Sequence, residues 1–105
     1  MFSTYKEHSP QEVMEMIKSK EDIEIIDVRE SEEWESGHIP TAKHIPLGEL
    51  SERMNELDKT KETIMVCRSG NRSSKACQFL SQMGYSVINM NGGMMNWSGE
   101  VKIGK

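Results

Sequence analysis

Short apolar runs alternate with helical patterns along most of this 105-residue chain, and this alternation limits the folds it can adopt. The apolar runs predict strands at residues 24–28, 43–45, 63–66 and 86–90. Helical spacing and start signals predict helices near residues 9–20, 31–35, 47–57 and 73–83. Strands that alternate with helices form a mostly parallel sheet covered on both faces. The sequence therefore predicts an α/β fold, and its length predicts one domain, residues 1–105.

Local signals mark several helix ends. Ser9, Pro10 and Glu12 read as an N-cap, a proline at the first helical position and a capping-box glutamate. Ser31 is expected to cap the second helix. Gly92 begins a glycine pair that breaks the chain before a last turn, and the polar tail from residue 98 is expected to be loose.

Composition excludes several classes of protein. The net charge of −4 argues against general nucleic-acid binding. No apolar run approaches the roughly 18 residues of a membrane span, and residues 1–9 lack the apolar stretch of a signal peptide. A cytoplasmic location is expected, where both cysteines would be free thiols. His8, His38 and His44 show no metal-ligand spacing with the cysteines, so no metal is expected.

A cysteine loop carries the strongest chemical signal. The predicted strand 63–66 ends at Cys67, a short loop follows, and a helix begins soon after. Free N–H groups and the dipole at a helix start favour a thiolate, and nearby guanidinium groups add charge. The loop predicts a nucleophilic cysteine that handles a small anion, and its residues are Cys67, Arg68, Ser69, Gly70, Asn71, Arg72 and Ser73.

The charge distribution supports anion binding at this loop. Eleven of the 17 acidic residues lie in residues 7–35, whereas residues 63–99 contain none. Arg68, Arg72 and Lys75 surround Cys67 in that segment. Guanidinium groups match oxyanions geometrically, so Arg68 and Arg72 are predicted to bind the oxyanion of a substrate.

The remaining loop residues receive backbone roles. Gly70 and Asn71 are predicted to permit the angles that point loop amides inward. Ser73 is predicted to cap the helix, with a hydroxyl near the thiolate as the alternative. Cys77 falls among apolar helix positions, which predicts core packing.

Asp27 and Arg29 follow another predicted strand and are interpreted as structural. Arg29 is spaced to pair with Glu33 across a helical turn. Ligands of parallel sheets bind outside the carboxyl ends of the strands, so Asp27 and Cys67 are expected at one crevice.

Several motifs together resemble the rhodanese-like domain family. The opening half is carried by Asp27-Val28-Arg29, Glu33-Trp34, Gly37-His38-Ile39-Pro40 and His44-Ile45-Pro46-Leu47. The closing half is carried by residues 67–73, 84–87 and 89–97. The resemblance covers about residues 9–97 in the same order. One departure is Thr41, where the family often has glycine.

The resemblance implies a rhodanese-like α/β fold and a persulfide-forming Cys67, with the backbone amides of residues 67–72 around the sulfur. The function it implies is a sulfurtransferase of the thiosulfate:cyanide type. A small-molecule sulfur donor and a thiol or protein-cysteine acceptor are the expected partners, without nucleic acid, membrane, metal or organic cofactor.

Two other functions stay open at this point. Phosphatases and arsenate reductases related to this family carry five residues between cysteine and arginine, whereas this chain has four between Cys67 and Arg72. A shorter loop suits a single sulfur atom better than a tetrahedral phosphate. A non-catalytic interaction module is disfavoured by the intact cysteine loop.

Overall fold

Five parallel strands form one sheet at the centre of the protein. A computed structural model describes residues 5–105. The strands are β1 (Lys6–His8), β2 (Ile23–Asp27), β3 (Lys43–His44), β4 (Glu62–Val66) and β5 (Ser86–Met90). Their order across the sheet is β1-β5-β4-β2-β3, and every pairing is parallel. The predicted parallel sheet is confirmed.

Four helices connect these strands. They are α1 (Pro10–Lys18), α2 (Ser31–Ser36), α3 (Leu50–Arg53) and α4 (Asn71–Gln82), and 3₁₀ turns occupy Leu47–Glu49, Met54–Glu56 and Gly93–Asn96. The capping box predicted at the start of α1 is present, since Ser9 Oγ accepts from the Glu12 N–H and Glu12 accepts from the Ser9 N–H. Helix α1 therefore begins where the sequence indicates.

The sheet is covered on both faces because alternate side chains of each strand point to opposite sides. Met65 and Cys67 pack with α4 residues such as Leu80. Ile64 and Val66, their neighbours along the chain, pack on the other face with the α1 residues Val13 and Met16. The predicted layering of helices on both sides of the sheet is confirmed.

Several predicted elements differ in the structure. The segment 47–57 does not form one helix, because 3₁₀ turns flank the four-residue α3. Glu30, not Ser31, is the N-cap of α2, and its N–H donates to Glu33 Oε1 at 3.1 Å. The sequence does not predict strand β1, because its three residues, Lys6, Glu7 and His8, are all polar and form no apolar run.

The prediction of a loose tail from residue 98 was wrong. Lys102 pairs antiparallel with His38 through two backbone hydrogen bonds of 3.0 and 2.8 Å. The Gly104 N–H also donates to the Glu35 carbonyl at 2.8 Å. Backbone pairing and a hydrogen bond of 3.0 Å from Trp97 Nε1 to the Glu100 carbonyl hold this segment, and neither contact is visible in its polar composition.

Within residues 5–105, no helix is both long enough and apolar enough to cross a membrane.

Candidate active site

Cys67 is the residue that directly follows strand β4. The strand delivers it to the carboxyl edge of the sheet, and Asp27 lies at the same edge because β2 pairs in register with β4 at Val66. Gly70 then adopts a left-handed conformation, with φ of 103°, and is the N-cap of α4. Such an angle is costly for residues with a Cβ atom, so the predicted role of this glycine in the turn is confirmed.

Helix α4 begins earlier than the sequence indicates. Asn71 is its first residue, and it takes ordinary helical geometry instead of the special backbone angles predicted for it. Ser73 lies in the first turn and does not cap the helix. Its hydroxyl instead lies beside the cysteine, which is the alternative that the sequence left open.

Three hydrogen-bond donors converge on Cys67 Sγ. The N–H of Gly70 lies 3.1 Å from the sulfur, and the N–H and hydroxyl of Ser73 each lie 3.3 Å away. Burial raises the pKa of Cys67, but hydrogen bonds from the Ser73 hydroxyl and from the N–H groups of Ser73, Gly70 and Ser69 outweigh it, and the pKa is lowered. This environment favours the nucleophilic thiolate.

The two arginines of the loop have different surroundings. Arg72 donates two hydrogen bonds to the Glu33 carboxylate, at 2.7 and 2.8 Å. The same hydrogen bonds lower the pKa of Glu33 to about 2. Arg68 is exposed, and among residues 5–105 its guanidinium has no carboxylate within 4 Å.

The pairing predicted between Arg29 and Glu33 was wrong. Arg29 Nε and Nη2 both donate to the carboxylate of Asp27, with distances of 2.8 to 3.1 Å. Both side chains are buried, and Arg29 also donates to the Gly37 carbonyl. Asp27 is only two residues from Arg29 in the chain, and its carboxylate accepts the hydrogen bonds that the sequence had predicted for Glu33.

The turn that begins with Gly92 and Gly93 packs against the backbone of the cysteine loop. Met94 and Met95 N–H groups donate to the carbonyls of Cys67 and Arg68, at 2.9 and 3.0 Å. A Cβ atom on Gly93 would come within 2.5 Å of both carbonyl oxygens. This close approach requires glycine, which explains why the pair precedes the last turn.

Known proteins are similar to this chain in sequence and in fold. Residues 9–100 match the family described as the Rhodanese-like domain. The chain belongs to the rhodanese-like domain family.

The relatives come from several bacteria. The Bacillus subtilis protein YtwF, provisionally named a sulfurtransferase, is 46% identical over 97 residues, which cover 92% of this chain and 94% of YtwF. The thiosulfate sulfurtransferase GlpE of Coxiella burnetii is 35% identical over 94 residues, covering 89% and 87%. The crystal structure of a rhodanese-like domain protein from Staphylococcus aureus has a TM-score of 0.88 at 31% identity, covering 95% of this chain and 99% of that one.

The second cysteine of this rhodanese-like domain, Cys77, accepts no hydrogen bond at its sulfur from residues 5–105. Cys77 is fully buried inside α4, in the core cluster that also contains Leu80 and Met65. Burial, followed by the charges of Glu7 and Cys67, raises the pKa of Cys77 to about 12. The side chain therefore lies in the core, as its spacing indicates.

Two contacts of this rhodanese-like domain escaped sequence reasoning. Glu33 was placed with the wrong arginine, because its partner Arg72 is 39 residues away in the chain. Asn89 is buried beside Ser73 and was overlooked within the strand pattern. A polar residue inside the apolar run Val87–Met90 was the available signal.

Proposed function

We propose that this protein is a sulfurtransferase in which Cys67 carries a sulfur atom as a persulfide. The Cys67 thiolate attacks the outer sulfur of thiosulfate or of a persulfide donor, and sulfite or a thiolate leaves. Cyanide or a thiol acceptor then attacks the outer sulfur of the persulfide, which yields thiocyanate or a new persulfide and regenerates the Cys67 thiolate. This is covalent catalysis by an activated nucleophile.

The observation that carries the proposal is the convergence of donors on one sulfur atom. The Gly70 N–H, the Ser73 N–H and the Ser73 hydroxyl all lie within 3.3 Å of Cys67 Sγ. The lowered pKa of Cys67 that follows from these bonds favours nucleophilic attack. The backbone amides of the loop, residues 68–72, are proposed to hold the outer sulfur of the persulfide as well.

Arg68 is proposed as the residue that binds the oxyanion of the donor. Its guanidinium is exposed and meets no carboxylate within the described residues, so its charge is available to sulfonate oxygens. Arg72 is engaged with Glu33 and is proposed to brace the loop. The sequence predicted oxyanion binding for both arginines, whereas the proposal gives this role to Arg68 alone.

The names of the relatives support the same reaction class. GlpE of Coxiella burnetii is named a thiosulfate sulfurtransferase, and YtwF is provisionally named a sulfurtransferase. Thiosulfate is therefore the first donor to test, with cyanide and small or protein thiols as acceptors. A reducing compartment such as the cytoplasm would keep both cysteines available as thiols.

A phosphatase or arsenate reductase is a weaker candidate for two reasons. Only four residues separate Cys67 from Arg72, so the loop amides converge on a small space. The Arg72 guanidinium, which would have to hold the phosphate oxygens, already donates both hydrogen bonds to Glu33. Each phosphate oxygen without a donor forfeits a charge-assisted hydrogen bond.

Intact-protein mass spectrometry after thiosulfate treatment tests the proposal. We expect the native protein to gain the mass of one sulfur atom and to lose it as thiocyanate when cyanide is added. An Arg68→Ala variant should need more thiosulfate for the same gain, because the donor oxyanion loses its cation. Efficient phosphate-ester turnover without any sulfur uptake would reject the sulfurtransferase in favour of the phosphatase.

A further inference from the structure

The hydroxyl of Ser73 faces two acceptors but has one proton to donate. Its oxygen lies 2.5 Å from Asn89 Oδ1 and 3.3 Å from Cys67 Sγ. A carbonyl oxygen accepts only, whereas a thiol can also donate its S–H. The hydroxyl can therefore donate to Asn89 or to the sulfur, but not to both at once. The protonation state of the sulfur decides which of the two accepts the hydrogen bond.

The orientation of the Asn89 amide follows from its other contacts. Its Nδ2 group donates to the Gly70 carbonyl and to the Glu7 carboxylate, each at 3.3 Å. Both partners accept only, so the nitrogen must face them and the oxygen must face Ser73. Asn89 is 3% exposed, so water does not replace these partners.

We propose that Asn89 is a positioning residue that holds the Ser73 hydroxyl while Cys67 is a thiol and releases it to Sγ when Cys67 is a thiolate. In the first state the Cys67 S–H donates to Ser73 Oγ, and Ser73 donates to Asn89. In the second state Ser73 donates to the sulfur, and Asn89 Oδ1 has no donor. The inference adds to the sulfur-transfer proposal a residue that acts through Ser73.

The proton count of the change balances. Ionisation releases the Cys67 proton to solvent, and Ser73 keeps its own proton, which only turns about the C–O bond. Because Asn89 loses a hydrogen bond in this step, it favours the thiol form. The nucleophilicity of a thiolate falls together with the pKa of its thiol, so Asn89 prevents the loop from stabilising the sulfur too strongly for attack.

Other charged groups face this network from the elements around it. Glu7 of β1 contacts Asn89 Nδ2, and Arg72 of α4 interacts with the Cys67 charge while paired with Glu33 of α2. Cys77 of α4 also interacts with the charge of Cys67, but its pKa of about 12 keeps it neutral. Among residues 5–105, only Asn89 shares the Ser73 proton with the sulfur, so a double-mutant cycle separates its effect from these charges.

The cycle uses iodoacetamide alkylation of Cys67 against pH, measured on four proteins. Asn89→Ala should move the midpoint to lower pH, because the thiol form loses its extra hydrogen bond. The ratio of thiolate to thiol at a given pH should rise roughly two- to tenfold, the worth of one hydrogen bond. Ser73→Ala should move the midpoint to higher pH, and Ser73→Ala/Asn89→Ala should match Ser73→Ala alone.

Two results would overturn the inference. A midpoint that rises in Asn89→Ala would mean that Asn89 merely aims Ser73 at the sulfur in both states. A midpoint that changes by the same amount whether or not Ser73 is present would mean that Asn89 does not act through the hydroxyl. Glu7→Gln serves as the control, since it alters the contact at Nδ2 and leaves the acceptor oxygen in place.

A measurement on the native protein covers the case in which Asn89→Ala fails to fold. The ¹³Cγ signal of Asn89 should titrate with the same midpoint as the ¹³Cβ signal of Cys67, because the amide oxygen loses its donor on ionisation. A ¹³Cγ signal that stays constant through that midpoint overturns the inference. Both measurements report thiol ionisation and not sulfur transfer, so they can fail while the proposed activity stands.

Discussion

Two cysteines ten residues apart share one buried core cluster, yet their chemistry differs. Cys67 and Cys77 both have 0% exposure. The pKa of Cys77 rises to about 12, whereas the pKa of Cys67 is lowered. Burial acts in the same direction on both thiols, since it always penalises the charged form.

The difference comes from local hydrogen-bond donors. Cys67 ends a strand and faces a helix start, where free N–H groups point at its sulfur. Cys77 lies in the middle of α4, where the backbone N–H groups are already engaged, and no donor within residues 5–105 reaches its Sγ. Position relative to the helix end, and not exposure, therefore decides the direction in which the pKa of each cysteine is shifted.

Exchanging each cysteine for serine is the strongest test of this comparison. Cys67→Ser should abolish sulfur uptake from thiosulfate, because no thiolate is left at the loop. Cys77→Ser should keep most of the activity of the folded protein and lose some stability, since a hydroxyl replaces a core sulfur. Intact-protein mass spectrometry and urea unfolding measure the two effects. An inactive but folded Cys77→Ser protein would contradict the assignment.

The support behind the loop should be nearly as important. In Gly93→Ala the new Cβ atom would meet the carbonyl oxygens of Cys67 and Arg68, and φ is 61°. We expect a loss of about 2 to 4 kcal/mol in the free energy of unfolding, together with slower alkylation of Cys67. Gly104→Ala is the control, because φ is 96° and nothing lies within 4 Å. Equal losses in both variants would exclude the loop contact as the cause.

Removing one donor should make Cys67 more like Cys77. Ser73→Ala deletes the hydroxyl bond that lowers the pKa of Cys67, so the inflection of sulfur uptake against pH should move to higher pH. At neutral pH we expect the rate to fall by about tenfold or more, because a hydrogen bond to a charged group is worth about 1.5 to 3 kcal/mol. Ser74→Ala is the control, because it removes the neighbouring hydroxyl of the same helix, which is hydrogen-bonded to Tyr5 and not to the sulfur. An unchanged pH profile in Ser73→Ala would show that the hydroxyl does not lower the pKa of Cys67.

The smallest effect is expected at the ion pair that braces the loop. Hydrogen bonds from Arg72 hold the folded-state pKa of Glu33 at about 2, below its ordinary value of 4.5. Its contribution to stability is therefore complete above about pH 4.5 and is lost as the pH falls through about 2. Because both side chains are partly exposed, Glu33→Gln should cost about 1 kcal/mol or less at pH 7.

Urea unfolding at pH 7 and near pH 2 measures this dependence. The stabilities of the native protein and Glu33→Gln should approach each other at the lower pH, where about half of Glu33 is protonated in the folded state. Glu32→Gln in the same helix is the control, since Glu32 is exposed. A Glu33→Gln effect that is as large near pH 2 as at pH 7 would show that packing, and not charge, holds Arg72.

The sequence predicted the elements that depend on local patterns. The strands β2, β4 and β5 and the start of α1 follow from apolar runs and a capping box, and Cys67 was recognised from the loop that it begins. The ion pair between Glu33 and Arg72 joins residues that only the completed fold brings together. Strand β1 is formed by backbone pairing with β5, and its polar residues gave no signal.

The position of β1 has a consequence for how the chain folds during synthesis. Lys6 pairs with Ile88, so this edge of the sheet can form only after residue 88 has left the ribosome. Until then β4 and β2 can pair, but the other edge of β4 stays unpaired because β5 has not yet been synthesised. Contacts this distant in sequence slow folding, and the nascent protein exposes the edge of β4 to aggregation until β5 has left the ribosome.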